Sequence, residues 1–269
     1  TKDGVRMTKA GIVRARFHRR PQAWWRLKRI TVAKTRTGKY YGFLLYEYSA
    51  RNVEPVIPKP ETTLGLKYSM PHFYVANNGS MADPPHWLEQ SQEKLANIQR
   101  KLSRMQLDSK NYQEAVQKYR LLHEHIANQR LDFIHKESRR IANAWDAVCI
   151  RADDLTEMSR EMTRRNVTDS GYGMFRECLR YKLERQGKPL IWVERYFPST
   201  RTCSACGLVG EAVHYKRNFW TCPRCGSVHQ REVNAAINIK TQGLTQYFSR
   251  QAQPEGASPS LGLYRSERR

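Results

Sequence analysis

Four cysteines are spaced to close around one metal ion. Cys203-x-x-Cys206 and Cys222-x-x-Cys225 stand fifteen residues apart, and each pair can bend back so that both sulfurs face one point. Four thiolates fill a tetrahedral zinc site and leave no position for water, so the chemistry is structural rather than catalytic. Gly207 and Gly226 follow the second cysteine of each pair, where the backbone turn favours a residue without Cβ. Trp220 precedes the second pair and can cover a small core, while His214 and His229 flank the site as non-ligands. Cys149 and Cys178 lie in apolar or helical contexts and read as buried free thiols. Paired CxxC units in a long chain point to metal binding in a reducing compartment, not to a disulfide framework.

The charge balance narrows the class of partner. Lys and Arg total 47 against 25 Asp and Glu, a net charge of +22 with a pI near 10.0. That excess is foreign to an ordinary metabolic enzyme and favours a polyanion, nucleic acid before a membrane surface. Six tryptophans and 10% aromatic residues argue against a disordered basic tail. Neither an 18-residue apolar run nor a signal peptide is present, so the expected location is cytoplasmic and nucleoid-associated, with no membrane role.

The elements that must position these groups follow from periodicity. Residues 1–58 read as β structure, with Ile30–Ala33 and the alternating Tyr41, Phe43 and Leu45 flanking a Thr37-Gly38-Lys39 turn. Arg14, Arg16, Arg19, Arg20, Arg26, Lys28 and Arg29 decorate this region, and Trp24 and Trp25 are interleaved with them, a pattern suited to nucleic-acid contact. Residues 54–60, with Pro55, Pro58 and Pro60, read as a linker. Two short strands are expected around Leu64–Tyr68 and Phe73–Ala76. Between about 84 and 144, Leu88, Leu95, Ile98, Leu102 and Met105, then Tyr119, Leu122, Ile126, Phe133 and Ile141, mark two long helices broken near Asp108. Ala147–Ile150 and Pro189–Val193 are apolar strands, Gly171–Gln186 is a helix, Val233–Gln242 is a short last helix, and residues 248–269 form a disordered tail. This order is similar to a ribonuclease-H-like α/β fold with a zinc module before the last helix.

Three stretches carry a more specific likeness. Pro198-Ser199-Thr200-Arg201-Thr202-Cys203-Ser204-Ala205-Cys206-Gly207, Trp220-Thr221-Cys222-Pro223-Arg224-Cys225-Gly226 and Val233-Asn234-Ala235-Ala236-Ile237-Asn238-Ile239 resemble the C-terminus of TnpB proteins. These are transposon-encoded, RNA-guided DNA endonucleases related to type V CRISPR effectors. Gln99–Met105, Ile126–Arg130, Asp132–Lys136 and Thr168–Phe175 extend the resemblance over nearly all of residues 8–245. The resemblance implies a RuvC domain in 59–198 and 229–247, with a helical-hairpin insertion at about 84–144 and an inserted zinc ribbon at 199–228. It implies that 1–58 is the last part of a β-rich wedge domain, oligonucleotide-binding-like, and that the recognition lobe lies outside this chain. It also implies contacts with guide RNA and target DNA from the basic residues above and from Lys101, Arg104 and Arg130.

The same family implies three acidic residues around Mg²⁺ for two-metal phosphodiester hydrolysis. At the first acidic position this chain has Lys67, within Gly65-Leu66-Lys67-Tyr68. At the second, an ungapped register places Arg151, and a two-residue slip places Asp153. At the third, Gln230-Arg231-Glu232 puts Glu232 where Asp is expected. A cation 4 Å from a divalent ion is repelled by about 8 kcal/mol even at an effective dielectric of 20. Structural zinc is therefore expected and catalytic Mg²⁺ is not, and Glu232 is expected to pair with Lys67 or Arg151. The leading expectation is a nuclease-dead TnpB-like repressor, monomeric or dimeric, that holds guide RNA and double-stranded DNA without cutting. An active endonuclease and a decayed transposon accessory protein are the alternatives.

Overall fold

The computed structural model describes residues 4–7, 11–17, 21–47, 53–69, 72–83, 86–155, 157, 171–210 and 217–252. The chain forms two compact units, one built from residues 1–53 and 89–128 and the other from 54–88 and 129–269.

In the first unit, strands β1 (Gly4–Met7) and β2 (Gly11–Arg14) form one antiparallel hairpin, and β3 (Arg26–Lys34) and β4 (Tyr40–Glu47) form another. A bulge between Leu27 and Arg29 sets Lys28 out of the ladder register. Gly38, with φ 89°, closes the turn that joins β3 to β4. That turn is tied to the long helix α2 (Lys110–Ala144): Gln117 Nε2 donates to the Thr37 carbonyl at 2.8 Å, and Lys39 bridges to Glu124 at 3.1 Å. Helix α1 (Trp87–Leu102) precedes α2, and Asp108 turns the chain between them in the left-handed region, with φ 61°.

The second unit is organised by a five-stranded sheet in the order β7-β6-β5-β8-β9. Its strands are β5 (Thr63–Tyr68), β6 (Tyr74–Ala76), β7 (Met81–Ala82), β8 (Ala147–Arg151) and β9 (Leu190–Val193). The first three form an antiparallel meander, and β5, β8 and β9 run parallel. This is the ribonuclease-H-like arrangement expected from the element order. Strand β7 has too little sequence to give a periodic signal.

Alternation along the strands divides the core into two layers. Leu64, Leu66, Tyr68, Val148 and Ile150 pack with Phe175, Leu179 and Leu183 of helix α3 (Tyr172–Glu184) and with Ile134 and Ile141 of α2. Ala147, Cys149, Ile191 and Val193 face the opposite way, against Ile239 of helix α4 (Arg231–Gln251). A Cβ on Gly65 would lie 2.3 Å from the Ala236 carbonyl oxygen, so the missing side chain is what lets α4 lie on the sheet. Cys149 and Cys178 are buried and free, as expected.

The last helix corrects the expectation of a short element ending at Gln242, and the tail assigned from 248 begins too early. The helix runs from 231 to 251 through Gly243, a residue that ordinarily weakens a helix. A Cβ there would stand 2.6 Å from the Cys149 sulfur, so packing on β8 favours glycine at this place. Residues 253–269 lie outside the described residues. The segment read as a linker has no regular element over residues 53–59, but the Val56 amide donates to the Gly187 carbonyl at 2.8 Å and Pro58 is buried.

Candidate metal ribbon and the carboxyl-terminal edge of the sheet

The four cysteines converge. Their sulfurs all lie within 4.8 Å of one another, with Cys203–Cys225 at 3.7 Å and Cys206–Cys222 at 3.6 Å. Zn–S bonds of about 2.3 Å in a tetrahedron require S···S edges of about 3.8 Å, so the donor set fits zinc. Among the described residues this is the one group of three or more His, Cys, Asp or Glu with its ligand atoms gathered in this way.

The two knuckles repeat one hydrogen-bond pattern. The Gly207 amide donates to the Cys203 carbonyl and the Gly226 amide to the Cys222 carbonyl, each at 2.9 Å and each with glycine φ at 74°. The Cys203 amide donates to Leu208 and the Cys222 amide to Ser227. Hydrogen bonds with Ser227 pull the Cys225 thiol down to about 6, whereas burial and the neighbouring thiols push Cys206 of the same quartet up to about 12. Strands β10 (Phe219–Thr221) and β11 (Val228–Gln230) carry Trp220 and His229 opposite each other, with Trp220 buried over Cys203 and Cys222. His229 Nε2 lies 3.0 Å from the Cys203 sulfur, so this residue, set aside as a non-ligand, supports a ligand from outside the quartet. His214 lies outside the described residues.

Two buried asparagines, to which the sequence alone gives no role, seat the ribbon on α4. Asn234 donates to the Thr202 carbonyl at 2.8 Å and accepts from the Ser204 amide at 2.9 Å. Asn238, one turn later, donates to the Ser199 and Thr202 carbonyls at 2.8 and 2.6 Å. Their i, i+4 spacing was the available signal, because it puts both amides on one helix face.

The second cluster sits where β5 and β8 end. Leu66 pairs with Ile150, so Lys67 and Arg151 are the next residues of neighbouring parallel strands. Lys67 shares the face of Gly65, and Arg151 that of Cys149, which is the face covered by α4. Gln230 caps α4 by accepting from the Val233 amide at 2.6 Å, and Glu232 stands in the first turn, where the helix dipole favours a carboxylate.

The ion pairs differ from those expected. Glu232 makes its direct ion pair with Arg231, at 2.8 Å, and acts on Lys67 only as a nearby opposite charge. Arg151 pairs instead with Asp153 at 2.6 Å. Both residues weighed for the second acidic position are thus present as one ion pair. The Lys67 ammonium donates to the Tyr68 carbonyl at 2.6 Å. Burial lowers its pKa from the ordinary lysine value; Glu232 and Asp153 oppose that shift, and Arg151 and Arg231 add to it. Three cations and two carboxylates therefore share this edge. The second oxygen of Glu232 is buried and accepts no hydrogen bond among the described residues.

The basic residues proposed for nucleic-acid contact are placed unevenly. Arg14, Arg16, Arg26, Arg29, Lys101 and Arg104 are exposed, and Trp24 is half exposed. Trp25 is partly covered, packing edge-on to Trp24 and lying 5.8 Å from the Tyr46 ring. Lys28 is held by Glu47 at 2.6 Å. Arg130 departs from the expectation of a free basic face: it is half-buried, with its aliphatic stem against Gly171. Arg19 and Arg20 lie outside the described residues.

The "OrfB_IS605, Probable transposase" family model matches residues 44–161, which include Lys67 and Arg151. The "Cas12f1-like, TNB domain" model matches residues 172–239, which include the four cysteines and Glu232. A protein of Streptomyces pristinaespiralis named "Putative RNA-guided DNA endonuclease" is 32% identical over 80% of this chain and 52% of its own length. The chain belongs to the TnpB family. A second relative, "Putative RNA-guided DNA endonuclease InsQ" of Escherichia coli K12, is 27% identical over 81% of this chain and 57% of its own length. The TnpB chain described here thus spans about half the length of the curated relatives it matches. The solved structure "CRISPR-Cas12f Ternary Complex" matches with a TM-score of 0.51 at 18% identity, over 78% of this chain and 44% of the other, a likeness of fold.

Proposed function

We propose that this TnpB family member is an RNA-guided, sequence-specific DNA-binding protein that does not cut its target and represses transcription by occupying it. The observation that carries this reading is the charge at the sheet edge. Mg²⁺ needs a set of carboxylates to coordinate it, and here Asp153 is engaged by Arg151, Glu232 offers one unpaired oxygen while Arg231 holds the other, and the Lys67 ammonium stands beside them. The donor set does not fit the ion. Lys67, Arg151 and Glu232 occupy the three positions at which the family's resemblance calls for acids.

Binding needs none of those acids. A net charge of +22 suits a surface that tracks nucleic-acid backbones, while base pairing to a guide supplies the sequence. Exposed Arg14, Arg16, Arg26, Arg29, Lys101 and Arg104, with Trp24 between the strands, are the residues assigned to this role. Zinc, held by Cys203, Cys206, Cys222 and Cys225, would fix the ribbon so that Asn234 and Asn238 can seat it.

The names of the relatives favour the second reading, an active endonuclease. One experiment separates the two. The protein with its co-purified RNA is incubated with end-labelled duplex matching the guide, in Mg²⁺ or Mn²⁺. Retention of intact duplex that depends on the guide is expected. Guide-dependent cleavage products would return the protein to the endonucleases. Lys67→Asp alone should leave cutting absent, because Arg151 remains; Lys67→Asp, Arg151→Glu and Glu232→Asp together should restore metal binding at this edge.

A further inference from the structure

The four sulfurs of the ribbon are not equivalent toward solvent. Cys203 and Cys222 are each 1% exposed and cluster with Trp220, Cys206 is half-buried, and Cys225 is exposed. The Cys225 sulfur lies 3.7 Å from that of Cys203, so the one open thiolate has a buried thiolate as its neighbour. Thiolates are the groups that peroxides and other electrophiles attack, and the rate follows thiolate character and access. Access singles out Cys225.

His229 adds a second asymmetry. It is buried against the Trp220 ring, with centroids 4.7 Å apart, and its Nε2 is 3.0 Å from the Cys203 sulfur. A metal-bound thiolate carries no proton, so in the loaded ribbon Nε2–H donates and Cys203 accepts. That bond draws charge from the sulfur and tunes the ligand from outside the quartet. Cys225 meets the Ser227 hydroxyl at a longer 3.3 Å and stays open to water.

We propose that the ribbon is a peroxide-sensitive clasp, in which Cys225 is the sulfur oxidised first and His229 is the positioning residue that directs oxidation there by holding the Cys203 thiolate. The inference rests on zinc binding by the quartet and is independent of whether the protein cuts DNA. In the first step the Cys225 thiolate attacks one oxygen of hydrogen peroxide, the O–O bond breaks, a sulfenic acid forms and hydroxide leaves. Cys203, weakly reactive toward dilute peroxide, is then 3.7 Å from a tethered electrophile. Its thiolate attacks the sulfenic sulfur, the S–O bond breaks, and a Cys203–Cys225 disulfide forms as a second hydroxide leaves. The two sulfurs together give up the two electrons that peroxide gains. Each knuckle loses one ligand, because Cys203 belongs to the first pair and Cys225 to the second. A thiol reductant reverses the bond by exchange.

The test treats the full zinc-loaded chain with hydrogen peroxide at neutral pH. A chromogenic chelator follows zinc release, and differential alkylation with mass spectrometry reads which cysteines are oxidised. In the wild type Cys225 should be oxidised first, a Cys203–Cys225 disulfide should accumulate in step with zinc release, and a thiol reductant with added zinc should reverse both. Buried Cys149 and Cys178 should stay reduced meanwhile. His229→Ala should speed release by roughly three- to tenfold, the worth of one hydrogen bond, and spread the first oxidation to Cys203. His229→Gln, which keeps an N–H donor at Nε2, should bring both the rate and the order back toward wild type. Zinc content and thermal melting before peroxide establish that each variant starts loaded and folded. First oxidation at Cys203, Cys206 or Cys222 in the wild type, or oxidation of Cys225 without zinc release, would overturn the clasp. An unchanged order and rate in His229→Ala, or a His229→Gln as fast as His229→Ala, would overturn the role of His229. Untreated chain without zinc would sink the quartet as a metal site, a failure distinguishable from the others.

Discussion

The cysteine ribbon and the carboxyl-terminal edge of the sheet have opposite contents: the first gathers metal donors, the second gathers ion pairs. In the ribbon all four ligands are present, their sulfurs are 3.6–3.7 Å apart across the two close pairs, and a second layer of Trp220, His229 and Asn234 supports them. At the edge the carboxylates are tied to arginines and a lysine stands among them. The difference lies in what each place needs in order to fold. A structural ion is part of the folding free energy, so losing a ligand unfolds the module. The edge is held by its own ion pairs and by the sheet beneath it.

The largest expected effect breaks the ribbon side of this contrast. Cys222→Ser, or prolonged chelation of the wild type, should remove zinc and expose Trp220, which is 8% accessible in the folded ribbon. Elemental analysis should give one zinc per wild-type chain and a large deficit in the variant. Tryptophan fluorescence should shift to the red as Trp220 meets water. Full zinc content in the variant would show that the quartet is not the site.

A smaller effect tests what holds the edge together. Gly65→Ala places a methyl 2.3 Å from the Ala236 carbonyl oxygen, a backbone atom that cannot swing aside. Overpacking of this kind is expected to cost about 1–3 kcal/mol, read as a lower denaturation midpoint. It should also move Glu232 away from Lys67, since α4 carries Glu232 and β5 carries Lys67. An unchanged midpoint would mean that α4 adjusts without strain and that Gly65 has no packing role.

How much of this could be read from the sequence depends on the range of the determining contact. The cysteine quartet was fully legible, because two knuckles need only local spacing and glycine at the turn. The helical pair and strands β5, β6, β8 and β9 were legible from periodicity, and their order pointed to the fold. The length of α4 was not: Gly243 reads as a stop signal until Cys149, almost a hundred residues earlier, is seen against it. The partners of Glu232 were also hidden. Sequence placed Lys67, Arg151 and Glu232 at related positions, but only the geometry pairs Glu232 with Arg231 and Arg151 with Asp153. Arg130 looked like one more basic surface residue, yet its stem packs on Gly171, a contact made only when α3 folds against α2.

The smallest effect concerns Lys67 itself and sharpens the contrast from the edge side. Burial lowers its folded pKa below the ordinary value of 10.5, with Glu232 opposing that shift most strongly. When the pH is below the folded pKa, lysine is protonated in both states and the native state carries the full cost of a charged, partly desolvated ammonium. Between the folded pKa and 10.5 the unfolded chain binds more protons, so native stability rises with pH across that window. Above 10.5 the cost is gone. Lys67→Met removes the titrating group and fills the same space with an apolar chain. Replacement of a buried charge in this way is expected to stabilise by about 1 kcal/mol at neutral pH, a rise in Tm of about 2–4 °C for a chain of this size. The gain over wild type should shrink as the pH is raised toward 10.5, because the wild type then sheds the proton that burdens it. A Tm for Lys67→Met below that of wild type at pH 7 would mean that Lys67 stabilises Glu232 and Asp153 by more than its own burial costs. The edge would then be a structural ion-pair network like the ribbon's ligand set, and the contrast between the two sites would fail.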